Sequence, residues 1–483
     1  MTLIRSLKTR LFLRRHHQIA NMAQAEAPVK EFFATQPAAH YNQRYYKPIW
    51  YAPNKFEAYG EEEIAAVVEC LRDGWLAPGP RTLQFEKEVS AWFGKKDGIF
   101  VNSGSSANVL SLKICDLKPG DEVITPACTF STTVAPLVQL DLVAVFCDVE
   151  TIRFVPSVEM CMAVVTDKTR AMFLPNLAGS KPDWAGLRAA ITAIGRHEGP
   201  NRIWLIEDSC DTMTCTAESD VSVISFYASH VITAGGTGGM AMFNEPHQRD
   251  LGLCYRDWGR MGTNSEDPSE RFGHQVDGID YDFKFLYGVI GYNFKGCEMN
   301  ASFGLVQIKK LPEFIKIRRA NTERFMEQMK DTKFIMPDDC PVWDPKPNWL
   351  AFPMLVPPEW KRKEVLTWIE SNGIQTRVFF AGNICRHPAY SMFAGIKENF
   401  PNSDTIMRDC FMLGAHHGLT IEDVDYMCAI LKEYYPGIMD IPAAERPNSV
   451  FPRPADAREQ STIGSCQVIF DENGNPAKRQ RKE

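Results

Sequence analysis

Three stretches of this chain set polar side chains directly after strand-like apolar runs. Asn102-Ser103-Gly104-Ser105-Ser106-Ala107-Asn108 follows one such run and opens a helical pattern. Free backbone N–H groups at a helix start, with hydroxyls beside them, suit a phosphate. The same pattern also suits an ordinary serine N-cap. Glu207-Asp208-Ser209-Cys210-Asp211 follows Ile203-Trp204-Leu205-Ile206. Three carboxylates crowded at a strand end repel one another unless a cation or a ligand proton separates them. A ligand with a basic ring nitrogen answers that, because one buried carboxylate keeps such a nitrogen protonated. Helix-start capping with one acid in solvent answers it too, as does a metal, although no histidine lies close in sequence. The third stretch runs from Ser225 through Tyr227 to His230 and on to Gly238-Gly239. It reads as a strand that ends in one titratable side chain before a glycine-rich turn.

The elements that must position these stretches follow from hydrophobic spacing. Apolar runs at 98–102, 122–125, 143–149, 171–174, 203–206, 221–226 and 240–243 alternate with helical patterns, which predicts an α/β fold with a seven-stranded, mostly parallel sheet. The last run is expected to pair antiparallel, because its connection is too short for a crossover helix. Ile64, Val67, Val68, Leu71 and Trp75 predict an amphipathic helix, Gly79-Pro80 breaks it, and Leu83 to Phe93 begin another. A long helical pattern starts near Glu298, is expected to be interrupted at Pro312, and leads to a smaller α+β unit. There, strands are predicted at 349–356 and 375–380 and helices at 361–372 and 421–435. The division is therefore a basic leader at 1–45, a large α/β domain at 46–315, a small C-terminal domain at 316–437 and a polar tail at 438–483. In open α/β sheets ligands gather at the carboxyl ends of the strands. Phosphate donors, a carboxylate for a pyridine nitrogen and a serine at such ends describe a pocket for pyridoxal 5′-phosphate. A nucleotide is the alternative, but neither GxGxxG nor GxxxxGKS/T accompanies them.

Composition narrows the function classes. The chain has 483 residues, 45% hydrophobic and 23% charged, with a net charge of −7. That is the profile of a soluble globular protein, and no global field favours nucleic acid. Fourteen cysteines without a CxxC pair point to a reducing, cytoplasmic setting. No apolar run has the roughly 18 residues a membrane span needs. Arg5, Lys8, Arg10, Arg14 and Arg15 stand in an acid-free stretch to Ala25, which fits an organelle transit peptide or a disordered basic leader.

The ordered set of motifs resembles the fold-type-I, pyridoxal phosphate-dependent transferases of the DegT/DnrJ sugar-nucleotide aminotransferase family, over roughly residues 50–437. Gly74-Trp75 through Gly79-Pro80 to Phe85-Glu86 is similar to the family's entry motif. The resemblance makes Gly104, Ser105 and Ser106 the phosphate loop and Asp208 the partner of the pyridine nitrogen. It makes Ser225 a phosphate ligand and Phe130 the ring that covers the cofactor. Gly291-Tyr292-Asn293 is similar to a loop whose asparagine reaches the partner subunit's phosphate, which implies a homodimer.

The family carries its Schiff-base lysine five residues after that serine, where this chain has His230. No lysine occurs between Lys181 and Lys284. Histidine forms no Schiff base, so the cofactor is expected to be held noncovalently, as the aldehyde or as pyridoxamine 5′-phosphate. Asp211, Tyr227 and His230 resemble the catalytic residues of the 3-dehydratase branch, which makes 3-deoxy sugars. The run Arg256 to Arg260, the run Arg377 to Asn383 and the segment Pro401 to Gly418 resemble that branch too. It implies an amino donor such as glutamate and a nucleotide-diphosphate 4-keto-6-deoxyhexose as substrate. His230 is then the base that takes a proton from the cofactor's C4′ carbon as the C3 hydroxyl leaves, with a pKa set by burial or by Asp211. Tyr227 orients that base or donates to the leaving group.

Two departures stand out. The cytidine-type dehydratases hold a two-iron, two-sulfur cluster on four cysteines. Cys210 matches one, but Met261 to Arg271 contains none of the others. One thiolate cannot hold such a cluster, so a cluster-free route and no metal are expected. The glycine turn after His230 is one residue longer than in the family and lacks its acidic member. A catalytically silent homologue that binds cofactor or nucleotide sugar as a scaffold is the alternative reading, and an aminotransferase is disfavoured by His230.

Overall fold

Seven strands form one sheet in the computed structural model, which describes residues 49–446 apart from 54, 215, 263–266, 338–347 and 443–445. They are β1 (Asp97–Val101), β2 (Glu122–Pro126), β3 (Val143–Cys147), β4 (Thr169–Pro175), β5 (Trp204–Asp208), β6 (Val221–Ser225) and β7 (Gly239–Phe243). Their order is β1-β7-β6-β5-β4-β2-β3. All run parallel except β7, which is antiparallel to β1 and β6. Every residue of β6 and β7 is buried. Helices cover both faces of such a sheet, so its central strands read as unbroken apolar runs rather than alternating ones.

This topology brings the carboxyl ends of β1, β5 and β6 to one edge. Ser225 pairs with Gly239, and Gly238 bridges to Ser103 beyond β1. A Cβ at Gly239 would lie 2.4 Å from the Ser103 carbonyl oxygen, so only glycine lets the two loops meet. Immediately after Ser225, the Phe226 ring packs 4.9 Å from that of Phe85 and 6.1 Å from that of Phe100. Its backbone N–H donates to Gly238 (2.9 Å), and its carbonyl accepts from the Thr233 hydroxyl (2.8 Å). Phe226 is thus the peg that fixes the end of β6. Phe226→Ala is expected to cost about 3–5 kcal/mol in a denaturant titration and to loosen the Ser225–His230 segment it anchors.

The long helix, Glu298–Met329, runs through Pro312 without interruption. Proline removes one intrahelical hydrogen bond, but Ile308, Leu311 and Ile315 are held in one core and Phe325 and Met329 in another. Tertiary packing on both sides of the proline outweighs the missing bond. At its start, the Glu298 carboxylate accepts from the N–H groups of Gly79 (2.8 Å), Arg81 (2.6 Å) and Thr82 (3.1 Å). The Gly79-Pro80 break is therefore a helix start capped by a distant acid.

Beyond the long helix, Ala351–Leu355, Cys410–Gly414 and Thr376–Val378 form an antiparallel three-stranded sheet, with Cys410–Gly414 in the middle. That central strand was not predicted. Cys410-Phe411-Met412-Leu413-Gly414 is a short apolar run without alternation, which periodicity cannot separate from a buried helical turn. No helix among the described residues is long and apolar enough to cross a membrane. The basic leader, and the tail beyond Arg446, lie outside the described residues.

Candidate functional site

The serine loop begins the Gly104–Ile114 helix. Ser103 is its N-cap, and its Oγ accepts from the Ser106 N–H (3.1 Å). The Ser106 hydroxyl donates to Asn102 Oδ1 (2.7 Å), and Ser105 is exposed. So the serine cap does form, and it coexists with a helix N-terminus whose first N–H groups lack intrahelical acceptors. A Cβ added to Gly104 would sit 2.6 Å from Ser225 Cβ and 3.1 Å from Cys210 Sγ. Glycine is what lets this helix start touch the ends of β5 and β6 together.

Asp208 ends β5 and is buried. Its Oδ2 accepts from Asn108 Nδ2 (2.9 Å) and from the Thr133 hydroxyl (2.8 Å), and its Oδ1 accepts from the Cys210 N–H (3.3 Å). A carboxylate has about four acceptor sites, so Oδ1 retains capacity for one more donor, such as a protonated ring nitrogen. Asn108 and Thr133 were missed as site residues. Asn108 lies one helical turn from Gly104, and that i, i+4 relation was the available signal.

The three acids are not crowded as expected. Glu207 and Asp208 point to opposite faces of β5, as adjacent strand residues must. Glu207 is fully buried and is held by Asn176 and by the hydroxyls of Thr216 (2.7 Å), Ser219 (3.0 Å) and Ser222 (2.7 Å). Nor does a helix start here, so helix capping does not account for the cluster. Asp211 accepts from the Ala178 N–H (3.2 Å). Burial, with the charge of Asp208 adding to it, raises its pKa to about 7 against the pull of that hydrogen bond.

Past β6, the Tyr227 N–H donates to Ser225 Oγ (3.3 Å), and the His230 N–H donates to the Tyr227 carbonyl (3.0 Å). The Tyr227 ring is exposed and stands edge-on to His230, with centroids 6.1 Å apart. His230 keeps part of its surface in solvent, but its Nδ1 is buried and has no hydrogen-bond partner. Burial of the imidazole, followed by the charge of Arg318, lowers its pKa to about 4. Asp211 is not among the causes. The longer glycine turn closes on hydroxyls rather than an acid. Thr233 Oγ1 accepts from the Gly236 N–H (2.8 Å), and Thr237 Oγ1 donates to the Asn102 carbonyl (2.7 Å).

Phe130, the N-cap of Ser131–Gln139, exposes its ring and meets Phe380 edge-on at 6.3 Å. Asn293 is exposed and bridges Asp257; the next residue, Phe294, accepts the Asn102 N–H (2.7 Å). Asn293 thus lies one residue from the backbone of the serine loop. Burial and Asp208 push the Cys210 thiol well above its usual range, so it packs as a neutral group beside Gly104. Among the described residues, no cluster of three or more His, Cys, Asp or Glu could hold a metal ion.

A helix N-terminus with a glycine cradle, a buried and oriented carboxylate and an exposed aromatic ring fit the phosphate, the ring nitrogen and the ring face of pyridoxal phosphate in chemistry. Comparison with known proteins agrees. Residues 57–432 match the profile described as the DegT/DnrJ/EryC1/StrS aminotransferase family. The chain is 32% identical over 413 residues to the lipopolysaccharide biosynthesis protein RfbH of Salmonella typhimurium, covering 79% of this chain and 91% of that protein. It is 31% identical over 400 residues to the dTDP-4-dehydro-2,6-dideoxy-D-glucose 3-dehydratase of Saccharopolyspora spinosa, covering 77% and 84%. The structure of the E. coli GDP-4-keto-6-deoxy-D-mannose-3-dehydratase with bound hydrated PLP superposes with a TM-score of 0.69 at 25% identity, over 80% of this chain and 100% of that one.

Proposed function

This chain belongs to the DegT/DnrJ/EryC1/StrS aminotransferase family, and we propose that within it the protein is a cluster-free dehydratase that removes the C3 hydroxyl of a nucleotide-diphosphate 4-keto-6-deoxyhexose. The observation that carries this reading is His230. A neutral imidazole with a buried, unpartnered Nδ1 stands five residues after Ser225, where an aminotransferase of this family has its lysine. Relatives that perform 3-dehydration support it.

The cofactor is pyridoxal 5′-phosphate, and in its pyridoxamine form it supplies an amino group for the 4-keto carbon and a ring that accepts electrons. The Gly104–Ile114 helix start, with Ser105, Ser106 and Ser225, binds its phosphate. Asp208, oriented by Asn108 and Thr133, holds a proton on the ring nitrogen. Phe130 covers one ring face and excludes water from it. His230 accepts the proton on its neutral imidazole, and Tyr227, whose phenol is exposed beside it, orients the imidazole or donates to the departing hydroxyl. Asp211 keeps its own proton up to about pH 7 and serves as an acid beside Asp208. Residues 46–315 form the cofactor-binding domain and 316–437 the smaller one. Asn293 reaches the partner subunit's phosphate in a homodimer. Phe272, Ile279, Tyr287 and Ile290 are apolar and exposed, as residues that a second copy covers would be in a single chain. An amino acid such as glutamate regenerates the amine form.

Two measurements follow. Protein mixed with pyridoxal phosphate should bind it without borohydride fixing it to the chain, and glutamate should convert the bound cofactor to its amine form. Absence of binding, or a lysine labelled by borohydride, would contradict the reading. The pH profile of kcat/KM should fall below about pH 4, as His230 takes up a proton and ceases to be a base. It should also fall above about pH 7, as Asp211 loses its proton and ceases to be an acid. A profile flat from pH 5 to 9 would remove Asp211 from the acid role.

A further inference from the structure

The backbone at Phe380 takes a conformation that phenylalanine rarely adopts. Its φ is +44°, in the left-handed region where a bulky side chain crowds its own backbone. Such residues persist only where the surroundings over-determine them, and they gather at functional sites. Here the surroundings are explicit. The Gly382 N–H donates to the Phe379 carbonyl (3.0 Å) and closes a turn, with Gly382 itself at φ +58°. A Cβ on Gly382 would lie 2.3 Å from Met407 Cβ, so the turn sits hard against the Pro401–Asp409 helix. The Ala381 carbonyl accepts from His387 Nε2 (2.7 Å). Before the strained residue, Phe379 is buried against Phe154 with ring centroids 4.4 Å apart. Phe380 is therefore locked on both sides in sequence, and its own side is half-buried.

The partners of this turn connect it to the site. The Ala381 N–H donates to the Thr129 carbonyl (3.2 Å), the Ile384 N–H to the Ala127 carbonyl (2.9 Å) and the Tyr390 hydroxyl to the Ser131 carbonyl (2.9 Å). These bonds tie it to the segment that carries Phe130. Phe380 adds its ring, edge-on to that of Phe130 at 6.3 Å with the planes at 81°. Among the described residues, no other aromatic ring meets Phe130. The same segment belongs to the Asp208 network. Thr133 donates its hydroxyl to Asp208 and its N–H to the Phe130 carbonyl (3.2 Å), and the Thr132 carbonyl accepts from Asn108 Nδ2 (3.0 Å). The backbone of Phe130 is thus fixed from the Asp208 side, and its exposed ring is met by Phe380. An exposed ring exchanges between rotamers, and an edge-on neighbour selects one of them.

We propose that Phe380 is a positioning residue: held in the strained turn after the Thr376–Val378 strand, it sets the orientation of the Phe130 ring against the face of the bound cofactor. This rests on the reading of Phe130 as the covering ring, and it adds the residue that makes the cover a fixed one. The strain has a use in that task. Relaxation to negative φ would swing the Phe380 ring away from Phe130, so the left-handed backbone is what delivers the contact.

The test is a double-mutant cycle on cofactor binding, with Phe380→Ala, Phe130→Ala and the two together. Pyridoxal phosphate affinity is read by absorbance titration. The fixing of its ring is read by circular dichroism in the visible band of the bound cofactor. F380A and F130A should each bind the cofactor about two- to tenfold more weakly, the range of one aromatic pair, and each should weaken the visible band. The double variant should bind no more weakly than F130A, because Phe380 acts through Phe130. Phe380→Tyr keeps the ring and should retain the affinity and band of the wild type. Where F380A does not fold, Phe380→Leu, which keeps apolar bulk without the ring, takes its place with the same expected outcome. Losses that multiply in the double variant overturn the proposal. So does a folded F380A or F380L with wild-type affinity and band, or an F380Y that behaves as F380A. These readings use the cofactor alone, without sugar. Absence of dehydration in the wild type, with the cycle as expected, sinks the functional reading and leaves the positioning role standing. An F130A indistinguishable from the wild type removes the covering ring and this inference together.

Discussion

Replacing His230 with lysine is expected to abolish dehydration and to create a covalent attachment point for pyridoxal phosphate. The residue stands at the end of a turn fixed by Phe226, Ser225 and Gly238, so a lysine there starts from the same anchored backbone. The site buries what it holds at Nδ1, and burial disfavours the charged amine. The new side chain is therefore held as a nucleophile rather than as an ammonium. Loss of a positioned general base alone costs roughly 10²–10⁴-fold in rate, and competition from the new amine for the cofactor adds to that. Borohydride followed by peptide mass analysis reads the attachment, and product analysis reads the rate. Unchanged dehydration in H230K would take His230 out of the base role.

Asp208→Asn carries the second large effect. The carboxylate is buried with three donors on it, Asn108, Thr133 and the Cys210 N–H, and those donors fix its orientation. The replacement amide keeps the shape and removes the charge proposed to hold a proton on the ring nitrogen. Without that proton the ring is a poor electron acceptor, and the expected loss is about 10²–10³-fold in kcat, on the scale of removing one preorganised electrostatic contact in a closed site. Cofactor affinity should fall as well, while the far-ultraviolet circular dichroism stays that of the wild type. A D208N enzyme within a few-fold of wild-type kcat would mean that Asp208 is a structural acid only.

Much of this site is visible in local sequence because strand ends announce themselves. Ser103, Asp208 and Ser225 each follow an apolar run, and a parallel sheet must bring such ends to one edge. The antiparallel β7 was also legible, since the glycine turn is too short for a crossover. What local spacing does not carry is which side of a strand each acid takes in its real surroundings. Glu207 looked like a third repelling carboxylate and is instead held by hydrogen bonds from a ring of hydroxyls on the far face. Pro312 looked like an interruption because propensity sees one lost hydrogen bond and not the two cores that straddle it. Arg318 gave no signal at all. An arginine on an exposed-looking helical pattern, beside Arg319, becomes buried only once the loop bearing His416 and His417 folds over its helix.

The most direct test of the central claim is product analysis after incubating the protein with pyridoxal phosphate, glutamate and a panel of GDP-, CDP-, UDP- and dTDP-linked 4-keto-6-deoxyhexoses. One member of the panel should lose its C3 hydroxyl as water, ammonia should be released with each turnover, and the sugar should retain no nitrogen. A 4-amino sugar accumulating in place of the 3-deoxy product would contradict it.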